Sequence, residues 1–127
     1  MNYLLDTCAL IWLGMGGGAL GDRARKRISV AARLYYSSIS AWEIARLQQE
    51  GKIILPTTPE TFLADLAAEY GLASLPPTDA VMVRAAQLPA HHRDPADRII
   101  IATALMRDLT IVTGDEKFPQ YGVRTLR

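Results

Sequence analysis

The chain has 127 residues, half of them hydrophobic, and a formal net charge of +1. That length supports one domain able to bury roughly two-thirds of its extended-chain surface, and the apolar content excludes a disordered chain. A single cysteine excludes an internal disulfide and no apolar run nears the roughly 20 residues that span a bilayer, so a cytoplasmic protein with no membrane partner is expected.

Residues 2–5 read as a buried strand running straight into Asp6, and 8–13 as a short helix in which Cys8 packs. The glycine-rich stretch 14–18 is a flexible break; it lacks the Gly-Lys-Ser/Thr ending of a phosphate-binding loop. A basic helix is predicted over 20–32, and a strand over 34–39 from β-branched and aromatic content. Ser40 opens a helix to about residue 50, stopped by Gly51. Pro56 and Pro59 mark a loop before an amphipathic helix over 60–70. A strand over 72–75 ends at Pro76 and Pro77, a helix follows over 79–88, and 89–93, with His91 and His92, reads as an exposed loop. Pro95 suits the first position of a helix to about residue 107; 109–113 is a buried strand and 122–126 a weak last one. Strands alternating with helices argue an α/β fold, a parallel sheet with helices on both faces, over residues 1–127 as one domain.

Charge is spread unevenly. Residues 1–34 carry Arg23, Arg25, Lys26, Arg27 and Arg33 against Asp6 and Asp22, whereas 60–79 carry Glu60, Asp65, Glu69 and Asp79 without a base. An anionic substrate and a solvated helix face account for the basic half equally well.

Five acids stand where strands end or helices begin: Asp6, Glu43, Asp94, Asp97 and Asp115. Singly, each has a capping explanation. Asp6 and Asp115 fit turns or N-caps, Ser40 with Glu43 fits a capping box, and Asp94 with Asp97 suits a helix start and its dipole. Jointly, they would converge on the carboxyl edge of a doubly wound sheet, where ligands bind. Hard oxygen donors in that setting suit Mg²⁺ or Mn²⁺. Asp97 also shares a face with Ile100, Ile101 and Ala104 of a helix apolar almost all round, and a carboxylate there needs a partner, either a metal, Arg98 or a cap. Thr7 and Thr113 stand beside the acids and could orient metal-bound water; Trp12 and Trp42 read as core or interface anchors.

The strings LLDTCALIWL, SISAWEIARLQQEGKI, HRDPADRIIIATAL and IVTGDEKF, in that order, resemble PIN-domain proteins, most of all the VapC-type toxins of bacterial and archaeal toxin–antitoxin modules. The resemblance implies a PIN-like three-layer fold with a parallel sheet of order 3-2-1-4-5 and a Mg²⁺- or Mn²⁺-dependent endoribonuclease acting on RNA. It also implies a homodimer and a cognate antitoxin that blocks the site and alone contacts operator DNA. The family's four acids fall on Asp6, Glu43, Asp97 and Asp115, with Asp6 and Asp97 as principal ligands, Asp115 direct or through water, and Glu43 at a second ion or the attacking water. Asp94 is an additional acid, and Arg98 stands where many relatives have a small residue, as a phosphate contact or a partner of Asp94. A haloacid-dehalogenase phosphatase wants a second Asp where Cys8 stands. A receiver domain wants adjacent acids after one strand, a phosphoacceptor after another and a lysine near the end, a pattern that Glu116 and Lys117 do not reproduce. The remaining alternative is a PIN-like protein-binding module whose acids serve as caps.

Overall fold

In the computed structural model, which describes residues 1–16, 18 and 20–127, five strands run parallel. In chain order the elements are β1 (Asn2–Leu5), α1 (Thr7–Met15), α2 (Asp22–Ser29), β2 (Arg33–Ser37), α3 (Ile39–Gln49) and α4 (Pro59–Tyr70). There follow β3 (Leu72–Leu75), α5 (Asp79–Gln87), α6 (Pro95–Arg107), β4 (Thr110–Val112), a 3-10 turn (Phe118–Tyr121) and β5 (Thr125–Leu126). The sheet order is β3-β2-β1-β4-β5, as the resemblance implies. The chain works outward from β1 to β3 and then returns to β4 on its other side, so the strand order reverses beside β1. In open α/β sheets that reversal opens a crevice at the carboxyl ends of the strands.

Strand period sorts the core into two layers. Tyr3 and Leu5 of β1 and Val112 of β4 face one cluster with Leu10, Leu13, Ile44, Phe62 and Leu66, while Leu4 and Ile111 face the other with Ile100, Ile101 and Phe118. Burial on both faces explains why β1 and β4 are apolar without alternation. Helix α6 has buried residues at every position from Ile99 to Ala104.

Several boundaries differ from expectation for local reasons. Helix α1 begins at Thr7 because Asp6 caps it, and ends at Gly16 in the left-handed conformation; Gly17 of the expected break lies outside the described residues. Helix α2 is shorter than 20–32, and Leu20 instead joins the core. Helix α3 starts at Ile39, so no capping box forms: Ser40 already lies inside the helix and is buried. The 3-10 turn was signalled by no periodicity; it seats Phe118 in the core and leaves β5 only two residues.

Candidate active site

Asp6 directly follows β1, and its backbone N–H donates to Val112 O (3.1 Å), so its carboxyl stands level with the end of β4. Oδ1 accepts from Ala9 N–H (2.8 Å) as the cap of α1, and the Thr113 hydroxyl also donates to this carboxylate. Capping and site membership therefore coexist in one residue. Glu43 is buried on α3; Thr7 donates to it, and Thr7 Oγ1 lies 2.9 Å from Ser40 Oγ. Glu43 Oε1 is shielded from solvent and has no hydrogen-bond partner among the described residues.

Asp94 caps α6, accepting from Ala96 N–H (2.9 Å) and Asp97 N–H (3.4 Å). Asp97, in the first turn of α6, turns its carboxylate toward His92, whose Nε2 is 3.0 Å from Oδ2. The same Nε2 lies 2.9 Å from Asp115 Oδ2, and Asp115 Oδ1 accepts from Lys117 N–H (2.8 Å). Asp115 N–H donates to Thr113 Oγ1 (3.0 Å). Between these two residues, a Cβ on Gly114 would come within 3.2 Å of the Trp12 ring, so a side chain in the turn carrying Asp115 would press on that ring.

The cluster is electrostatically costly. Burial raises Asp97 from 3.8 to about 8, reinforced by Asp94, Glu43, Asp6 and Asp115. Burial likewise raises Asp6 to about 6 against the Thr113 and Ala9 hydrogen bonds, with Glu43 and Asp115 adding to the rise, and it raises Glu43. Two triads place one ligand atom from each member within 4.8 Å of the others: Glu43, Asp94 and Asp97, and His92, Asp97 and Asp115. Asp97 is common to both, while Asp6 belongs to neither. Carboxylates raised by burial and by one another, and a partnerless buried oxygen, are the features a divalent cation would relieve, and their oxygens suit a hard ion.

A family model described as the PIN domain matches residues 3–123. The chain belongs to the PIN-domain family. This PIN domain is 31% identical over 117 residues to Ribonuclease VapC22 of Mycobacterium tuberculosis, covering 91% of this chain and 88% of that one. Its fold is similar to that of DNA-bound VapBC from Salmonella typhimurium (TM-score 0.70, 24% identity, 99% of this chain and 97% of that one). It is also similar to a toxin–antitoxin complex from Klebsiella pneumoniae (TM-score 0.67, 19% identity, 98% and 96% covered).

Other residues of this PIN domain sit differently from expectation. Arg98 neither pairs with Asp94 nor reaches outward: its guanidinium donates to the carbonyls of Ala85, Ala86, Leu88, Pro89 and His92, closing the end of α5 and the loop after it. Thr7 and Thr113 spend their hydroxyls on Glu43 and Asp6. Trp12 packs against the core as expected, whereas Trp42 is exposed under the Arg46 guanidinium at 5.0 Å. Cys8 is exposed, against its expected packing; partial burial of its thiol and the charges of Asp6, Asp97, Glu43 and Asp115 push it up to about 12, which leaves it un-ionised and a poor nucleophile. A groove of about 320 Å³ between α5 and α6, lined by Met82, Ala85, Ala86, Arg93, Pro95, Arg98 and Ile99, contains none of the acids.

Two residues beside the acids depart from the sequence expectation: Ser40, expected as a cap, lies buried inside α3, and His92, expected on an exposed loop, is buried. The available signal was position: His92 lies five residues before Asp97, on a loop that must deliver the chain to the acid-bearing start of α6. Among the described residues, no helix is long and apolar enough to cross a membrane.

Proposed function

We propose that this PIN domain is a metal-dependent endoribonuclease toxin of a toxin–antitoxin pair, hydrolysing RNA phosphodiester bonds at the acid cluster in the cytoplasm. The observation that carries the reading is Asp97, shared by both triads and raised by burial and by the surrounding acids at the crevice beside β1. Asp6, Asp97 and Asp115 would hold a Mg²⁺ or Mn²⁺ ion, with Glu43 at a second ion or at the attacking water. Bound there, a divalent cation would supply Lewis acidity, easing deprotonation of water and offsetting the negative charge that builds on the phosphate oxygens.

The chain's own groups do the rest. Thr113 and the Ala9 N–H fix the Asp6 carboxylate. Glu43, with an unpartnered oxygen and a raised pKa, is suited to align the water and accept its proton. Arg93 and Lys117, exposed and adjacent in sequence to His92 and close to Asp115, offer charge to the phosphates of a bound strand. Similarity to VapBC and to a toxin–antitoxin complex supports a cognate antitoxin as partner, with operator DNA contacted through it, and exposed Trp42, Met82 and Val83 supply apolar surface for that partner or a second copy.

The test is cleavage of defined structured RNAs by the antitoxin-free protein in Mg²⁺ or Mn²⁺ against EDTA, with Asp97→Asn alongside. Cutting at discrete sites that needs both the ion and Asp97 is expected. A folded protein that neither cuts nor binds Mn²⁺ would return the acids to capping and leave a protein-binding module.

A further inference from the structure

His92 is held from several sides. Its backbone N–H donates to Tyr121 Oη (2.7 Å), whose hydroxyl donates on to Pro89 O (2.7 Å). Arg98 Nη1 donates to the His92 carbonyl (3.0 Å) and also to Pro89 O (2.9 Å). The ring meets Phe118 edge to face, with centroids 5.8 Å apart. Nδ1 accepts from the Asp94 backbone N–H (3.2 Å), which puts the ring hydrogen on Nε2. That one N–H faces Asp97 Oδ2 at 3.0 Å and Asp115 Oδ2 at 2.9 Å.

Two roles are disfavoured by this arrangement. An Nε2 that carries hydrogen has no lone pair for a metal, so the imidazole is a donor and not a ligand. A ring fixed through Tyr121, Arg98, Phe118 and Asp94 is also poorly suited to swing aside as a removable plug. What remains is a shared donor joining two carboxylates from separate segments, α6 and the turn after β4. Sharing one N–H fixes the distance of both carboxylates from a common point and offsets part of their repulsion.

We propose that His92 is a positioning residue of the active site, its Nε2–H clamping Asp97 and Asp115 in the arrangement that receives the divalent cation. The inference rests on the metal-site reading above and adds to it a residue outside the carboxylates.

The test is Mn²⁺ titration of the purified chain, with free ion followed by electron paramagnetic resonance, for wild type, His92→Asn and His92→Gln. The two variants separate positioning from structure. Asparagine keeps an acceptor for Asp94 N–H but cannot reach the acids; glutamine places an amide N–H near Nε2 and loses that acceptor. Mn²⁺ binding about tenfold weaker in His92→Asn, with most of the affinity kept in His92→Gln, is expected for a group that holds metal ligands in place. The reverse order, or equal affinities, would leave His92 a loop anchor and overturn the proposal. Tighter binding by His92→Asn would make the ring an obstacle, and nitrogen coupling in the echo-modulation spectrum of Mn²⁺ on the wild type would make it a ligand; either overturns the donor role. A folded wild type that binds no Mn²⁺ would overturn the metal-site reading itself, which distinguishes that failure from failure of the His92 role. Should His92→Asn not fold, the nitrogen coupling of the wild type and the affinity of His92→Gln still decide.

Discussion

Partial burial at the start of α6, and behind it the charge of four neighbouring acids, raise the pKa of Asp97. Replacing it with asparagine removes an ionisable group from a place that resists ionisation. Asp97→Asn should therefore abolish RNA cleavage by orders of magnitude and, without metal at about pH 8, leave the melting temperature unchanged or raised. A variant that cut normally, or that melted well below wild type under those conditions, would contradict this account. Asp6→Asn should also lose cleavage, with less gain in stability, because its carboxylate is held by Thr113 and Ala9. The acids were legible one by one because strand ends and helix starts are visible in sequence. His92 was not, since what buries it lies far along the chain: Tyr121, 29 positions away, holds its backbone.

At the scale of elements, single residues decide how helices meet. A Cβ on Gly14 of α1 would lie 2.4 Å from the Phe62 ring of α4, so the helices approach where no side chain fits. Alanine at this position would gain about 1 kcal/mol of helix propensity but cost about 1–3 kcal/mol in overpacking. Gly14→Ala should be net destabilising in urea titration; a stabilised variant would show that the Phe62 ring yields freely. Arg98 closes α5 and its loop through five carbonyls. Arg98→Met should cost about 2–3 kcal/mol and, by loosening the His92 loop, weaken Mn²⁺ binding as well; unaltered urea stability would refute the structural role. The start of α6 follows from Pro95 and the end of β3 from Pro76 with Pro77, and both were readable. The start of α3 was not: Ser40 and Glu43 have the spacing of a capping box, but Thr7 on another helix takes up the Ser40 hydroxyl.

For the whole molecule, the raised acids set how stability follows pH. Unfolded, Asp6 and Asp97 ionise near their ordinary value of 3.8; folded, they ionise at about 6 and about 8. Across that interval the folded chain holds more protons than the unfolded one, so stability falls as pH rises. Their contribution is complete below the unfolded value and lost as pH climbs through the folded ones. Metal-free protein should melt several degrees lower at about pH 8.5 than at about pH 5.5. Saturating Mn²⁺ should flatten or reverse that trend, because an ion needs the ionised carboxylates; calorimetry showing no difference between the metal-free and Mn²⁺ profiles would refute it. Parallel sheet and layers were legible from alternating strands and helices, whereas the strand order came only through the family resemblance, because no local pattern says which side of β1 the returning β4 will take.

That return has a consequence for synthesis. β1 comprises residues 2–5, yet one of its flanking partners is β4, residues 110–112, and Asp115 lies beyond it. On the ribosome the first strand must wait for residues 110–112 before that side of it is covered, a non-local pairing that folds late. The acids of the cluster thus come together only after residues through Asp115 have been made, so a nascent chain stopped short of β4 presents no finished cluster to the RNA around it.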